Sequence, residues 1–574
     1  MNTKNIISIA GSILFLLTSC EDFLEPVKDN RLFEDQVFGN PLYAEGLLLN
    51  AYFGLPTSYS FDDVATDNAV TNNKGSNLLR MATGEWKASF SPVSEWESSY
   101  SRIYYLNLFL EKLEDVEWSW EREEINAFYL KRLKGEAHGL RAWYEFQLLQ
   151  AHSGLSDEDV LLGFPIVTDP LTVEDDMELP RDTYENCLQQ ILADCDTAIA
   201  NLNDEYADTG DPIYDAVYGQ TYKNRMTSRA AKALKSRATL HAASPAYTVN
   251  LSESEKQERW ENAAASAAGL LSETGGPAGL SPGGHLFYLP QTSPVLDFDD
   301  DIIWRSDYNE NTTVENQNYP PSLFGQGRTN PSQNLVDAFP MANGYPISHA
   351  SGLYDPANPY VNRDPRFQEY IVYNFSKLRG SNIFTALGLD SKDVINNTTA
   401  STRTGYYLKK FMNPDVNLDP TVNSTAIHFY TYFRFTEIFL NYAEAANEAW
   451  GPDADPQGYG FTARDVIAAV RNRAGISQPD DYMAELSSAE QLRELIQNER
   501  RLELCFEGFR FWDLRRWNND LTEACRGAFI TTINFQFIFD YREVEKRNFE
   551  PYMIYGPVPY DETLIYDLRQ NKGW

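Results

Sequence analysis

The segment from 494 to 517, ELIQNERRLELCFEGFRFWDLRRW, carries a dense set of charged side chains. Glu499, Glu503 and Glu507 recur every fourth residue and would line one face of a helix. Arginines surround this acidic row: Arg500, Arg501, Arg510, Arg515 and Arg516. Gly508 predicts the end of that helix, after which a second short helix turns back. Because Arg–Glu networks of this density are more often structural than catalytic, we predict a buried ion-pair network that fixes how two helices meet.

No motif of a known catalytic site accompanies this network. The sequence contains no GxSxG, HExxH or GxxxxGK[ST] pattern. Its histidines are scattered: His138, His152, His241, His285, His349 and His428. Glycoside hydrolysis needs two carboxylates about 5 to 9.5 Å apart in one cleft, and with 83 acidic residues some pair meets that distance by chance. We therefore predict that the protein is not an enzyme.

The composition argues against nucleic acid as a partner. Lys and Arg number 48 against 83 Asp and Glu, which gives a net charge of −35. Such a chain repels phosphate backbones and anionic lipid surfaces, and it is compatible with a neutral or cationic ligand. The 34 Tyr and 11 Trp residues could supply rings that stack on a ligand while their polar ends stay hydrated.

The N-terminus resembles a bacterial lipoprotein signal. Lys4 precedes an apolar run from 6 to 17, and Leu-Thr-Ser-Cys follows with Cys20. The run is too short to span a bilayer core of about 30 Å. We expect residues 1–19 to be a lipoprotein signal peptide and Cys20 to carry the lipid anchor.

Helical periodicity covers much of the remaining chain. Helices are predicted over 41–55, 95–113, 121–150, 185–202, 228–243, 260–271, 432–450 and 461–474. Asn40 and Pro41 fit the N-cap and the first helical position. Gly135, Gly139 and the Ala-rich stretch 228–243 would let neighbouring helices approach closely, so we expect antiparallel helix pairs. From 273 to about 425 Gly, Pro, Asn, Ser and Thr dominate instead, with short β-like runs at 301–306 and 368–373. Loops of that length usually carry function or are disordered.

Several blocks follow one another in an order that resembles a known family. They are Trp96, Tyr100, Ile103 and Asn107 with helical spacing, EAHGLRAWYEF (136–146), FPIV (164–167), PSQNLVDAFPMANGYPI (331–347), NRDPRF (362–367), TRTGYYLKKF (402–411) and ERRLELCFEGFRFWDLRRW (499–517). This series resembles the SusD/RagB family, the glycan-binding outer-membrane lipoproteins of Bacteroidetes. In NRDPRF we expect Arg363 and Arg366 to pair with acids.

The resemblance implies a mostly α fold of tetratricopeptide-like helical hairpins with an irregular, loop-rich lobe containing short strands. One SusD-like domain would span 20–574. Its parts would be a helical part over about 40–272, a ligand lobe over about 273–425 and a C-terminal helical part over about 426–520.

The resemblance also implies a function. A lipid-anchored protein on the outer face of the outer membrane would capture oligosaccharides and close as a lid over a SusC-like TonB-dependent transporter. A peptide-binding, RagB-like uptake protein is the alternative, and a surface glycoside hydrolase is a further one.

Candidate ligand residues are aromatic rings and polar side chains in loops or near the family's ligand arc. They are Trp96, Asp67, Asn68, Arg80, Tyr319, Phe324, Arg379 and Tyr406. Stacking on Trp or Tyr, with Asp, Asn and Arg pairing to hydroxyls, is the chemistry that a sugar ring requires. Ser99 stands where the starch-binding pattern would have Asn three residues after Trp96, which argues against starch.

The remaining cysteines are Cys187, Cys195, Cys505 and Cys525, and we expect buried free thiols. Cys187 and Cys195 lie on one predicted helix about 12 Å apart, beyond disulfide reach. The run DFDDD (297–301) is compatible with a structural calcium ion, but such runs are more often solvated loops. We therefore predict no cofactor and no metal.

Overall fold

The computed structural model describes residues 38–172, 174–290, 299–534 and 536–574. The predicted signal peptide, Cys20 and the first two residues of the DFDDD run lie outside these ranges. Within them, every helix is too short or too polar to cross a bilayer. Helix makes up 46% of the chain and the strands are mostly short, so the prediction of a mostly α fold with an irregular lobe is confirmed.

The long helices lie in the N-terminal and C-terminal parts of the chain, and the lobe contains only short ones. They are α1 (Pro41–Phe53), α2 (Asn77–Arg80), α3 (Trp96–Lys112), α4 (Glu123–His152), α5 (Tyr184–Asn201), α6 (Pro212–Tyr218), α7 (Ser228–Ala243), α8 (Glu253–Glu273), α9 (Thr313–Asn318), α10 (Gln333–Ala338), α11 (Pro365–Tyr370), α12 (Phe435–Trp450), α13 (Ala463–Arg473), α14 (Asp481–Glu485), α15 (Ala489–Glu503), α16 (Arg510–Arg516) and α17 (Tyr560–Ile565).

The strands pair two by two, always antiparallel. They are β1 (Ala69–Thr71) with β6 (Thr329–Pro331), β2 (Gly154–Leu155) with β3 (Leu161–Leu162), β4 (Ile302–Arg305) with β12 (Thr431–Arg434), β5 (Asn309–Asn311) with β11 (Ala426–His428), β7 (Ile371–Val372) with β10 (Tyr407–Leu408), β8 (Lys377–Leu378) with β9 (Ser381–Asn382), and β13 (Cys525–Ile533) with β14 (Gln536–Glu545).

Local capping explains where the predicted helices begin. The Asn40 side chain accepts a hydrogen bond from the Leu42 amide at 3.0 Å, and Pro41 takes the first position of α1, as predicted. Thr227 caps α7 in the same way. Helix α8 begins seven residues before its predicted start, because Ser252 and Glu255 form a capping box that the apolar pattern did not reveal.

Small residues set the spacing of the helical part. Helices α3, α4, α5, α7, α8 and α12 pack in succession around one core. A Cβ on Gly135 of α4 would lie 2.6 Å from Leu202, and one on Gly139 would lie 2.7 Å from Met226. No larger residue fits at either contact without movement of its neighbour. The predicted close approach of these helices therefore depends on glycine.

The lobe has a hydrophobic core of its own. Phe367, Tyr370 and Tyr407 are among its fully buried rings. The predicted strand over 301–306 is confirmed as β4. The first half of the predicted run 368–373 is instead the end of α11, and only β7 within it is a strand. The long β13–β14 hairpin was not predicted, and its residues Ala528 and Ile530 complete this core. The four cysteines from Cys187 onward are buried free thiols, as predicted.

The acidic row of α15 and the turn after it forms the predicted buried network. Glu499 binds Arg471 at 2.6 Å and Arg366 at 2.8 Å. Glu503, which is fully buried, binds Arg473 at 2.8 Å. Since Arg366 belongs to the lobe and Arg471 and Arg473 belong to the helical part, the acidic row connects the two parts.

Glu507 extends the network. Glu507 binds Arg434 at 2.8 Å and Lys410 at 2.7 Å. Arg434 in turn binds Asp301 at 3.0 Å, so this aspartate of the DFDDD run is held in an ion pair.

The prediction that Gly508 ends the first helix was wrong, because α15 already ends at Glu503 and Phe506 has left the helical conformation with φ +66°. Gly508, with φ +85°, lies in the turn between α15 and α16.

The prediction for Arg363 was wrong. Its guanidinium donates to the carbonyl oxygens of Pro359, Val336 and Phe339. Arg366 does pair with acids, binding Asp364 at 2.6 Å as well as Glu499. The two arginines of NRDPRF therefore hold the loop in different ways, one through backbone and one through carboxylates.

We expect Glu503→Gln to lower the free energy of unfolding by about 3 to 5 kcal/mol, because it leaves buried arginines without their counter-charge. Burial would raise the pKa of Glu503, but Arg473, Arg366 and Arg434 outweigh burial and hold that pKa well below its usual range. Its contribution is then present above about pH 4 and is lost as the pH falls. Urea unfolding at pH 7 and at about pH 3, below the ordinary pKa of glutamate, measures both effects.

The matched control is Glu494→Gln, since Glu494 is exposed on the same helix. We expect it to change stability by less than about 0.5 kcal/mol. Equal destabilisation by the two variants would contradict a structural role for the network.

Candidate functional site

A pocket of about 470 Å³ opens on the surface of the lobe beside the β13–β14 hairpin. Its lining includes four aromatic rings: Tyr360, Tyr373, Phe537 and Phe539. It also includes four side-chain amides: Asn358, Asn362, Gln368 and Asn374. We call it the aromatic pocket.

The rings of the aromatic pocket support one another. The centroids of Tyr360 and Tyr373 are 4.6 Å apart, and those of Tyr360 and Phe539 are 5.6 Å apart with planes at 86°. Phe367 stacks behind Tyr373 at 5.1 Å. The four lining rings are half-buried, so each keeps part of its surface open to the pocket.

Strand geometry explains why two of these rings share a face. Alternate residues of a strand point to the same side, and β14 carries Phe537, Phe539 and Tyr541 at alternate positions. All three are half-buried, while Ile538, Asp540 and Arg542 between and after them are exposed. The hairpin therefore turns an aromatic face toward the lobe.

Hydrogen bonds behind the pocket orient its polar groups. The Asn374 side-chain oxygen accepts from the amides of Thr385 at 2.9 Å and Ala386 at 3.1 Å, which fixes the orientation of its NH₂ group in the pocket wall. The Tyr360 hydroxyl lies 3.1 Å from that of Tyr406, which donates to Gln333 at 2.6 Å. Burial raises the pKa of Tyr360 above its usual value, so this hydroxyl stays protonated.

The aromatic pocket is uncharged. Its lining, drawn from the part of the chain that the structure describes, contains no Asp, Glu, Lys, Arg or His. A ligand can stack on the rings and pair its hydroxyl or amide groups with the Asn and Gln side chains. The described lining supplies no carboxylate for acid or nucleophilic catalysis, and its rings and amides suit a neutral polar ligand.

The structure places three of the predicted aromatic ligand residues inside the protein. Trp96 is 6% exposed and packs against Tyr100 at 5.1 Å and His152 at 5.3 Å. Tyr319 is fully buried, and its hydroxyl donates to the carbonyl of Asn413 at 2.8 Å. Tyr406 is also fully buried, beneath Tyr360. None of these rings presents an open face to a sugar, although Tyr406 supports one that does.

Asp67 and Asn68 are likewise buried. Asp67 binds Arg501 at 2.7 Å and Arg510 at 2.8 Å, and Asn68 accepts from Arg501 at 2.7 Å. Burial alone would raise the pKa of Asp67, but these two guanidinium groups hold it well below its usual range. Both side chains therefore anchor the loop before β1 to the C-terminal helices.

The other predicted residues lie at the surface. Arg80 pairs with Glu85 at 2.7 Å and lies 4.3 Å above the ring of Phe90. Phe324 is 54% exposed, and partly buried Arg379 donates to the Pro414 carbonyl at 3.0 Å. Because β1, which directly follows Asp67 and Asn68, pairs with β6 of the lobe, the loop that carries these two residues does lie against the lobe. None of the three lines the aromatic pocket.

Sequence reasoning did not single out Tyr360, Tyr373, Phe537 or Phe539. One signal was present in the sequence: the run FQFIFDY (535–541) places an aromatic ring at every second position. That alternation predicts a strand with one aromatic face. The contribution of Tyr360 and Tyr373 depends on how the lobe loops pack, which no local pattern reveals.

Two family models together match most of the chain. The SusD family model matches residues 294–574, and a model described as starch-binding and associating with the outer membrane matches residues 43–240. The chain belongs to the SusD family. SusD-like protein P25 of Formosa agariphila is 21% identical over 620 residues, with both chains fully covered.

Solved structures agree in fold. A SusD-like protein from Bacteroides fragilis NCTC 9343 superposes with a TM-score of 0.71 at 23% identity, covering 94% of this chain and 99% of that chain. A SusD-like carbohydrate binding protein from the same organism gives a TM-score of 0.68 at 22% identity, covering 92% and 99%. At these identities the likeness shows the fold.

We expect Asn374→Ala to destabilise the wall of the aromatic pocket. The variant leaves the amides of Thr385 and Ala386 without their acceptor, at a cost of about 1 to 3 kcal/mol for each buried unsatisfied group. Hydrogen exchange at residues 385 and 386 should accelerate. Asn358→Ala is the control, since that exposed side chain donates only to Asp355 in the described hydrogen bonds. Unchanged exchange in Asn374→Ala would contradict the assigned role.

Proposed function

We propose that this protein captures a neutral oligosaccharide at the cell surface and that the aromatic pocket holds it. The observation that supports this most directly is the pocket's chemistry: four half-buried rings and four amides, with no charged lining residue in the described ranges. Sugar rings have an apolar face that stacks on aromatic rings and hydroxyls that pair with amides. Membership of the SusD family and the carbohydrate-binding relative in Bacteroides fragilis support the same conclusion.

In this proposal the lining residues have distinct roles. Tyr360 and Phe539, whose planes are nearly perpendicular, form a corner for one sugar ring. The Asn374 NH₂ group donates to a sugar hydroxyl, and exposed Gln368 and Asn362 reach the ligand from the rim. The Tyr406 hydroxyl holds Tyr360 in place from behind.

The protein then passes its cargo to a SusC-like TonB-dependent transporter in the outer membrane, without catalysis. Support comes from the family model described as associating with the outer membrane and from the Leu-Thr-Ser-Cys signal at Cys20. In this proposal the lipid on Cys20 anchors the chain at the cell surface, and the protein closes over the transporter as a lid.

Isothermal titration of the purified protein against neutral glycans and a peptide digest tests the proposal. The glycan panel should contain fructan, mannan, xylan, laminarin and starch. We expect one glycan to bind, and Tyr360→Ala and Phe539→Ala each to weaken it about tenfold or more, equivalent to about 1.4 kcal/mol. Tyr360→Phe separates the contribution of the hydroxyl from that of the ring.

Phe53→Ala is the matched control, because Phe53 is an aromatic residue that is 84% exposed and lies outside the pocket. The Phe53→Ala variant should bind the glycan with the same affinity as the unmodified protein. Binding of a glycan with the same affinity in both pocket variants would place the site elsewhere on the surface. Binding of peptides alone would favour the peptide-uptake alternative, and release of reducing ends would favour the hydrolase.

The anchor and the partner are tested in cells. We expect Cys20→Ala to abolish incorporation of labelled palmitate and to release the protein from the outer-membrane fraction, since acyl chains provide the attachment. Cys195→Ala, which changes a buried thiol, should still incorporate palmitate and should remain in the outer-membrane fraction. Unmodified protein should co-purify with a TonB-dependent transporter after mild detergent extraction. Labelling of Cys20→Ala, or its retention in the membrane, would contradict the anchor.

A further inference from the structure

A second cavity, of about 400 Å³, lies between α4 of the helical part and the segment 500–516. We call it the signature cavity. Exposed Gly54, Pro56, Ser58 and Ser60 form its rim, and it shares no lining residue with the aromatic pocket. The ion-pair network of α15 does not fill this cavity, and the proposed capture of a glycan in the aromatic pocket does not use it.

The cationic side chains in its lining already have partners. Arg237 binds Glu437 at 2.6 Å, Arg500 binds Asp513 at 2.8 Å, and Arg516 binds Glu444 with both of its terminal nitrogens. The lining carboxylate of Glu507 is likewise paired, with Arg434 and Lys410. These groups leave little net charge for a ligand to meet.

Two lining carboxyl groups remain without a cation. Asp62 is 7% exposed, and its Oδ1 is buried with no hydrogen-bond partner in the part of the chain that the structure describes. Glu95 accepts from the Ser98 hydroxyl at 2.9 Å. Among the described residues no Lys or Arg lies within ion-pair distance of either one. A buried, unpaired carboxyl group facing a cavity is costly unless a ligand compensates it.

Aromatic rings surround the same space. Tyr430 and Trp512 are half-buried in the lining, and electron-rich ring faces of this kind attract cations. Phe509 also lines the cavity, but its ring is already within 5.2 Å of the guanidinium groups of both Arg237 and Arg500.

The other lining rings, those of Trp143, Tyr144 and Tyr432, are buried. Tyr430 and Trp512, which pack against Tyr59 and Phe511 on one side, keep part of their ring surface for the cavity.

The charges around Asp62 can be accounted for on every side. Asp63 is adjacent and binds Asn68 and the Phe506 amide. The guanidinium of Arg515 lies 3.5 Å above the ring of Phe511 and donates to the Phe511 carbonyl. It forms no ion pair with Asp62 in the described chain, but its positive charge lowers the pKa of Asp62.

The same lining contains Glu507, Arg500, Asp513, Arg237 and Arg516, in the pairs given above. Burial lowers the pKa of His241, which also lines the cavity, to about 3, so His241 is uncharged between pH 6 and pH 8. Burial, followed by the charge of Asp63, raises the pKa of Asp62 to about 7.

We propose that the signature cavity binds a small organic ammonium ion, with its charge opposite Asp62 and Glu95 and its alkyl groups against Tyr430 and Trp512. The site is separate from the aromatic pocket and does not depend on the identity of the glycan. Carboxylates combined with aromatic faces are the groups that recognise quaternary and primary ammonium ions in other proteins.

The test compares choline with its uncharged isostere 3,3-dimethyl-1-butanol, titrated into the full chain at pH 8 and 0.15 M salt. We expect choline to bind at least about tenfold more tightly, because only choline supplies the positive charge. Affinity for choline should fall about tenfold from pH 8 to pH 6, since Asp62 must lose a proton with a pKa of about 7 to face the cation.

Asp62→Asn should weaken choline binding about tenfold or more at pH 8 and flatten its pH dependence, and Glu95→Gln should weaken it without changing the pH profile. Glu97→Gln is the control, an exposed carboxylate on the first turn of α3 that does not line the cavity.

A folding check is available from the same variant. The raised pKa of Asp62 contributes stability below about pH 4 that is lost as the pH rises toward 7. Asp62→Asn should therefore unfold at a temperature that depends less on pH between 4 and 7, which shows that the variant is folded. Equal binding of choline and its isostere, no choline binding at millimolar concentration, or unchanged binding by folded Asp62→Asn would each overturn the proposal.

Discussion

The buried carboxylates of Glu499, Glu503 and Glu507 hold the lobe and the helical part together through ion pairs. Each carboxylate binds a cation of the helical part or of the lobe, at distances between 2.6 and 2.8 Å. Charges this deeply buried are costly unless every partner is in place. The network therefore favours a single arrangement of the lobe on the helices, and the signature cavity, which is lined by α4 and the segment 500–516, borders the network.

The two cavities differ in the way they treat charge. The aromatic pocket has no charged lining residue in the described chain, so it suits ligands that offer apolar faces and hydroxyls. The signature cavity borders the ion-pair clusters, where most charges are matched but Asp62 and Glu95 are not. The protein thus has an uncharged pocket on its lobe and, beside its core, a cavity in which the carboxyl groups of Asp62 and Glu95 have no cationic partner among the described residues.

Burial also explains why polar residues near the predicted ligand arc do not lie in either cavity. Asp67 and Asn68 are polar residues of a loop, and loop polar residues often bind ligands. In the folded chain they bind Arg501, and Asp67 also binds Arg510, residues more than 400 positions away in the sequence. Arg501 and Arg510 were predicted to belong to the ion-pair network, and in the structure they bind Asp67 of the loop before β1. No local sequence pattern reveals a pairing over that distance.

Local periodicity, capping residues and the i, i+4 spacing of charges were enough to predict most of the long helices and the structural role of the acidic row, and the order of the motifs indicated the family. Helix α7 and the capping of α1 by Asn40 were predictable in the same way. Which rings are accessible depends instead on how distant segments pack. Trp96 is buried because α3 faces a core, and Tyr406, the residue before β10, is buried because it lies under Tyr360. Tyr360 and Phe539, in contrast, meet at a pocket although 179 residues separate them. Whether a side chain is buried depends on what packs against it, and those neighbours come from distant parts of the chain.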